Sequence, residues 1–175
     1  MTSSSEFPAI SLWQPWGSLL FALRSDGSQV KKHETRNRPA PARVIGRRIA
    51  LHAAQQPIVA RNLPPALQEL CTRHFGADYA KTLPRGGFIG TLLLESSAMM
   101  SPAGARPADA DDELCGYWER GRWAWRMSDP QPFRAPILAS GHQSWWTATL
   151  HPMAPLDPEL QAELGHHGPK ARHFR

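Results

Sequence analysis

The sequence predicts an α+β fold, in which a small β-barrel of five or six strands carries two or three packed helices. Short apolar segments alternate with Gly, Pro, Asp and Ser turn residues, a pattern typical of short strands. One segment has helical periodicity instead. The 175 residues include 41% hydrophobic residues, which is enough for a single domain with its own core. No internal repeat is present.

The first half of the chain predicts three strands and one helix. Pro15 ends the first strand, and Ser25-Asp26-Gly27 ends the helix that follows. A charged stretch and then a short apolar run supply two more strands. In order, these elements are a strand, a helix, a charged strand and a buried strand, at residues 9–13, 16–23, 30–38 and 49–53.

The second half predicts one clear helix and several β elements. Pro65 to Phe75 predicts an amphipathic helix closed by Gly76, because apolar residues recur there at helical spacing. Pro130, Pro132 and Pro136 predict a break in the chain. The other predicted elements are a strand at 88–95, a long surface loop or lid at 96–112, a hairpin at 118–127 and a last strand at 144–150.

We predict one folded domain at residues 8–152 and a C-terminal extension at 153–175. Asp157 followed by Pro158 predicts the start of a short helix, with a capping side chain and a proline at its first position. The segment from His166 to Arg175 is basic, and we expect a mobile tail there.

Charge and aromatic content favour a polyanionic partner. The net charge is +5 and the isoelectric point is near 9.8, a sign that suits nucleic acid, although plain solubility explains it equally well. Seven tryptophans are many for this length. Most should lie in the core, but an indole beside basic residues can also stack on a base.

Several other classes of protein are disfavoured. Cys71 and Cys115 lack the spacing of a zinc ribbon or of a disulfide framework, and the histidines near the C-terminus fit a basic tail better than a metal site. No apolar run has the length that spans a bilayer. Met1 to Glu6 lacks the features of a secretion signal. We therefore expect a cytoplasmic protein without metal, cofactor or membrane contact.

The charged stretch at 30–38, V-K-K-H-E-T-R-N-R, is the candidate site. In an extended chain Glu34 and Arg36 share one face, whereas Lys31 lies on the other. A carboxylate among cations can hold a ligand or shuttle protons, and a purely structural ion pair is the alternative. An aromatic turn precedes this stretch and an apolar strand follows it. The candidate ligand-binding residues are Trp13, Gln14, Trp16, Lys31, Glu34, Arg36, Arg38 and His52.

Three separated motifs resemble those of the ASCH domain family. They are S-L-W-Q-P-W at 11–16, K-x-x-E-x-R at 31–36 and R-x-x-x-L-H-A-A at 47–54, followed by G-F-I-G-T-L at 87–92. The resemblance implies a PUA-like barrel and a cleft for RNA or a modified nucleotide. Lys31, Glu34 and Arg36 match the lysine, acidic residue and arginine of the family motif. Glu34 also occupies the slot in which the amidohydrolase branch carries threonine.

Three functions remain open at this point. The first is binding of RNA, other single-stranded nucleic acid or a modified nucleoside in a basic, aromatic cleft. The second is metal-independent hydrolysis on the same scaffold, of RNA or of an N4-acetylcytidine-type amide, with Lys31 and Glu34 as the acid/base pair. The third is a protein-interaction module that docks a partner on its tryptophans. The sequence does not indicate an oligomeric state.

Overall fold

The computed structural model describes residues 5–101 and 106–150. Its central feature is a mixed sheet, whose strands follow the order β2-β5-β4-β3-β1-β6. Strands β1 and β3 run parallel, and the other neighbouring pairs run antiparallel. The six strands are β1 (Ser5–Leu12), β2 (His33–Arg36), β3 (Arg47–Ala53), β4 (Gly87–Met99), β5 (Trp123–Leu138) and β6 (Trp146–Leu150).

The α+β class and the six strands are confirmed, but the sheet does not close into the predicted barrel. Within the described residues, β2 and β6 form its two edges and do not pair with each other. The charged segment supplies a strand of only four residues. So short an edge strand offers few backbone groups for a further pairing.

The sheet buries a hydrophobic cluster on each face. Alternation along β3 divides its residues, so that Ile49 and Leu51 face one way while Ala50 and His52 face the other. The first face contributes to what we call the Trp125 core, and the second to the Phe88 core. A third cluster, the helix core, is built around Leu19, Val30, Leu67, Leu70 and Cys71.

Four α-helices occur among the described residues: α1 (Trp16–Leu19), α2 (Pro65–Phe75), α3 (Tyr79–Thr82) and α4 (Ala110–Leu114). Short 3-10 helices lie at Ala42–Val44 and Ala60–Asn62. The bounds of α2 are those predicted, and Gly76 ends it at φ +86°, a conformation that suits glycine. Helix α1 is shorter than predicted because its last turns give way to a turn bridged by Leu23 and Gln29.

The predicted break at Pro130, Pro132 and Pro136 is wrong, because β5 continues through all three prolines. Strand β2 pairs with β5 from Trp123 to Arg126, and beyond this point no strand of the described residues adjoins that edge of β5. Proline is tolerated where its missing N–H would face an open edge. The register between β4 and β5 also shifts at three places, which is typical of bulges.

Two further predictions for the second half need correction. The predicted surface loop at 96–112 is partly regular, since β4 extends to Met99 and α4 begins at Ala110. The predicted hairpin at 118–127 is the end of a larger one, in which Met99 pairs with Trp123 across the long connection between β4 and β5. Trp118 lies in that connection rather than in a strand.

The predicted C-terminal extension, 153–175, lies outside the described residues. The domain division therefore stays a prediction.

None of the described helices combines the length and apolar character that a membrane crossing requires.

Candidate functional site

Lys31 is the buried centre of the candidate site. Its side chain is 0% exposed, and its Nζ lies 2.6 Å from Glu34 Oε2 and 3.5 Å from the carbonyl oxygen of Trp16. Strict strand alternation would place Lys31 and Glu34 on opposite faces. They meet because β2 begins only at His33, so the backbone at Lys31 is free of that alternation.

Glu34 also faces a second cation. Arg36 Nε lies 3.1 Å from Glu34 Oε1, but its angle is too poor for a hydrogen bond. The Arg36 guanidinium lies over the Trp125 ring at 5.7 Å, within the range of a cation–π contact. Glu34 pairs with Trp125 in the β2–β5 register, which sets both side chains on the same face of the sheet.

The three charges form a graded series from core to solvent. The side chain of Lys31 is 0% exposed, that of Glu34 12% and that of Arg36 37%. A ligand approaching from solvent would therefore meet Arg36 and an edge of Glu34, with Lys31 behind them. Because each Glu34 oxygen lies close to a cation, the carboxylate is held in one orientation.

Helix α4 locks the backbone beside Lys31 in place. The buried Asp112 accepts hydrogen bonds from the backbone N–H of Lys32 (2.8 Å) and of His33 (3.1 Å) through Oδ1. His33 Nδ1 donates to Asp112 Oδ2 at 2.7 Å. Three hydrogen bonds to one buried carboxylate fix the start of β2, and with it the path from Lys31 to Glu34.

A second group of charges connects α4 to the helix α1 region. Arg24 donates to Asp109 (2.7 Å) and to Asp111 (3.0 Å), and Lys32 Nζ lies 3.4 Å from Asp109. Burial acts to raise the pKa of Asp109, but hydrogen bonds from Arg24 and the Asp112 N–H, with the Arg24 charge, lower it below its ordinary value. This ion cluster holds α4 against the candidate site.

Sequence reasoning missed Asp109 and Asp112, although one local signal was present. Asp109 caps α4 by accepting from the N–H groups of Asp111 and Asp112. An Asp followed by further acids is a recognisable helix start. The hydrogen bonds from Lys32 and His33 to Asp112 span 80 and 79 positions and have no such local signal.

The aromatic turn before α1 reaches the site through its backbone. Trp13 is 63% exposed, whereas Trp16 is partly buried against the helix core and turns its carbonyl towards Lys31. Gln14 is buried. Its Nε2 donates to Ser18 Oγ and to the Pro84 carbonyl, and its Oε1 accepts from the Ser18 N–H. Of these three residues, Trp13 alone presents an exposed indole that could stack on a ligand.

Arg38 contacts the candidate site through its backbone. Its backbone carbonyl accepts from the Trp125 indole N–H at 3.2 Å, and its side chain is exposed. The carbonyl thus helps to orient the ring beneath Arg36. The exposed guanidinium adds positive charge beyond the end of β2.

His52 is not brought together with the charged cluster. It lies on the Phe88 face of the sheet, 1% exposed, and contacts the Phe88 and Trp146 rings edge-on. Its Nε2 lies 3.0 Å from the Ala139 carbonyl oxygen, which must accept. The Nε2 therefore carries a proton, and in a neutral ring Nδ1 would be an acceptor. No described residue bonds that Nδ1 or the neighbouring Ser11 Oγ.

Other groups that could take part in chemistry are engaged elsewhere. Burial raises the pKa of both Cys71 and Cys115 to about 12, so neither is a thiolate at neutral pH. Thr35 Oγ1 accepts from the Tyr117 N–H. Glu95 pairs with Arg126 at 2.5 Å. Within 5–101 and 106–150, no group of His, Cys, Asp and Glu side chains could hold a metal ion.

Three solved structures from Zymomonas mobilis are similar to this fold. An ASCH structure from Zymomonas mobilis is 18% identical, with a TM-score of 0.48 over 90% of this chain and 92% of the other. Two point-mutant structures from the same organism are 20% and 18% identical over 75% of this chain and 74% and 72% of theirs, with TM-scores of 0.40 and 0.38. All three are ASCH structures. The motifs of this sequence resemble those of the same family. No family model matches the chain, and no curated protein matches it in sequence.

Proposed function

We propose that the protein binds nucleic acid, either RNA or a modified nucleotide, at the cluster of Lys31, Glu34 and Arg36. The observation that supports this most strongly is the orientation of Glu34, whose two oxygens face Lys31 Nζ at 2.6 Å and Arg36 Nε at 3.1 Å. A fixed carboxylate can accept a hydrogen bond from the amino group of a base such as cytosine.

The neighbouring groups suit the remaining parts of a nucleotide. Arg36 is the most exposed of the three charges, and an arginine fork matches phosphate or a base edge. The exposed Trp13 indole belongs to the turn that contacts Lys31, and such a ring can stack on an unpaired base. We therefore expect single-stranded nucleic acid, whose bases are free to leave the stack.

Binding of a fluorescently labelled single-stranded RNA tests this proposal. Arg36→Ala should weaken binding by about 5- to 150-fold, since one bidentate arginine contact contributes about 1–3 kcal/mol. Arg134→Ala is the matched control, because it removes the same charge from an exposed position on β5. Equal losses in both variants would show that only the overall positive charge attracts RNA, and would overturn the proposal.

Hydrolysis remains the second candidate, favoured by one specific observation. A fully buried ammonium lies 2.6 Å from a partly exposed carboxylate, the arrangement of a coupled acid/base pair. Glu34 would take a proton from an attacking water and return it to the leaving group of an RNA or an N-acyl base, while Lys31 behind it would hold the carboxylate and stabilise its charge.

Turnover of N4-acetylcytidine and of a short RNA tests this second candidate. Glu34→Gln keeps the shape of the side chain but removes the base. Product formation by the unmodified protein that disappears in Glu34→Gln would support hydrolysis. Equal background rates in both proteins would rule it out and leave binding as the function.

A further inference from the structure

A hollow of about 240 Å³ opens beside the first and last strands of the sheet. Its walls come from β1, from β6 and from the segment that leads into β3. The lining that matters here consists of Glu6, Arg43, Arg47, Trp145 and Trp146. Two guanidinium groups therefore share one concave surface with a single carboxylate.

The two arginines of the hollow are available to an anionic ligand. Arg43 belongs to a 3-10 helix and Arg47 begins β3, and both are exposed. Within the described residues neither is engaged in an ion pair, whereas Arg24, Arg36 and Arg48 each contact a carboxylate. Unpaired cations on a concave surface attract anions strongly, because the surrounding protein focuses their field.

The two tryptophans of the lining also have unused hydrogen-bonding capacity. The indole N–H groups of Trp145 and Trp146 are shielded from water, and no described residue accepts from them. A buried donor without an acceptor is unusual in a native protein. The Trp146 ring packs on His52 and Phe88, on the other face of the sheet. Trp145 packs on the same side as the hollow, so a ligand oxygen there could supply the hydrogen bond that its N–H lacks.

The hollow lies on the same face of the sheet as the candidate site. The Trp145 ring stacks on Trp125, with centroids 5.4 Å apart and planes 28° apart. Arg36 lies over the Trp125 ring at 5.7 Å. Trp125 thus adjoins both the charged cluster and the wall of the hollow. A ligand longer than one nucleotide could reach both.

We propose that this hollow binds the phosphate of a neighbouring nucleotide, so that the ligand is an oligonucleotide rather than a free nucleoside. The inference rests on the proposed nucleic-acid binding at Glu34. In the hollow, Arg43 and Arg47 hold the phosphate, and Glu6 accepts a hydrogen bond from a ribose hydroxyl. The base held at Glu34 supplies recognition, while the hollow supplies most of the affinity for a longer strand.

Titrations of cytidine and of a short single-stranded RNA, with the unmodified protein and two double variants, test this inference. Arg43→Ala/Arg47→Ala should bind cytidine unchanged but lose at least tenfold in affinity for the RNA. The slope of log affinity against log salt should also fall by about 1 to 2. Arg120→Ala/Arg134→Ala, at exposed positions away from the hollow, is the matched control and should keep that slope.

Each outcome decides between the two proposals. If the unmodified protein binds cytidine and RNA equally well, or if both double variants lose the same affinity, the hollow is not a phosphate site and only the inference fails. If the unmodified protein binds neither ligand, the proposed function fails and the inference fails with it. Both double variants alter exposed side chains alone, and thermal unfolding should confirm that they fold.

Discussion

Lys31 and His52 are both buried polar residues, but their surroundings are opposite in character. Lys31 is neutralised by Glu34 at 2.6 Å, and the pair leads outward through Arg36 to solvent. His52 is enclosed by aromatic rings on the other face of the sheet and bonds only a backbone carbonyl. Burial alone therefore does not mark a residue as a candidate for function. What distinguishes the two residues is whether a chain of polar groups connects the buried atom to water.

Removal of Glu34 should have the largest effect on stability. Glu34→Ala leaves the Lys31 ammonium fully buried, with the Trp16 carbonyl at 3.5 Å as its remaining polar contact. Stranding a buried charge costs about 3–5 kcal/mol of the free energy of unfolding, measurable by urea denaturation. The double variant Lys31→Met/Glu34→Ala should recover much of that loss. A loss below about 1 kcal/mol would be typical of a solvated surface pair.

Gly141→Ala should have the next largest effect, on the His52 side. A Cβ at Gly141 would lie 2.6 Å from His52 Cε1 and 3.0 Å from Ser11 Oγ, too close for a ring enclosed on all sides. We expect a loss of about 1–3 kcal/mol from overpacking, with RNA binding unchanged. Weakened RNA binding in a folded Gly141→Ala protein would mean that the His52 face also takes part in binding.

Asp109→Asn should lower stability by about 1 kcal/mol or less, in a pH-dependent way. Asparagine still caps a helix, so the variant removes only the charge that Arg24 and Lys32 contact. Because the folded pKa of Asp109 is depressed, its contribution is present above the unfolded pKa and is lost as pH falls through the folded pKa. Denaturation at pH 7 and at about pH 3 should show the two proteins converging. A constant difference at both pH values would contradict the assignment.

Trp13→Ala should have the smallest effect on stability, within about 0.5 kcal/mol, because the ring is 63% exposed. If the ring stacks on a base, affinity for single-stranded RNA should fall by about 1–3 kcal/mol. Fluorescence titration with RNA measures this effect. Unchanged affinity would restrict the site to Lys31, Glu34 and Arg36.

The parts of the fold that were predicted correctly are those with local causes. Helix α2 follows from apolar spacing between a proline and a glycine. Trp123, Trp125 and Met127 alternate along β5 and therefore pack in the same core. The prolines of β5 misled the prediction because their effect depends on which strand lies beside them, and that is not a local property.

The candidate site divides in the same way. The order K-x-x-E-x-R brings one carboxylate near two cations over six residues, and those charges meet because they are neighbours in the chain. The sequence alone therefore determined the composition of this cluster, the α+β class and the helix at Pro65–Phe75. Asp112, which fixes the start of β2, comes from 79 positions beyond His33, and Trp125 comes from the strand paired with β2.

Only the tertiary structure decided which faces meet. It buried Lys31 behind Glu34 and placed His52 on the opposite side of the sheet. It also made β2 and β6 the edges of the sheet that the described residues form. The physical reason is that side-chain periodicity specifies how residues divide between two faces, whereas strand pairing and core packing over long sequence separations decide what each face contacts.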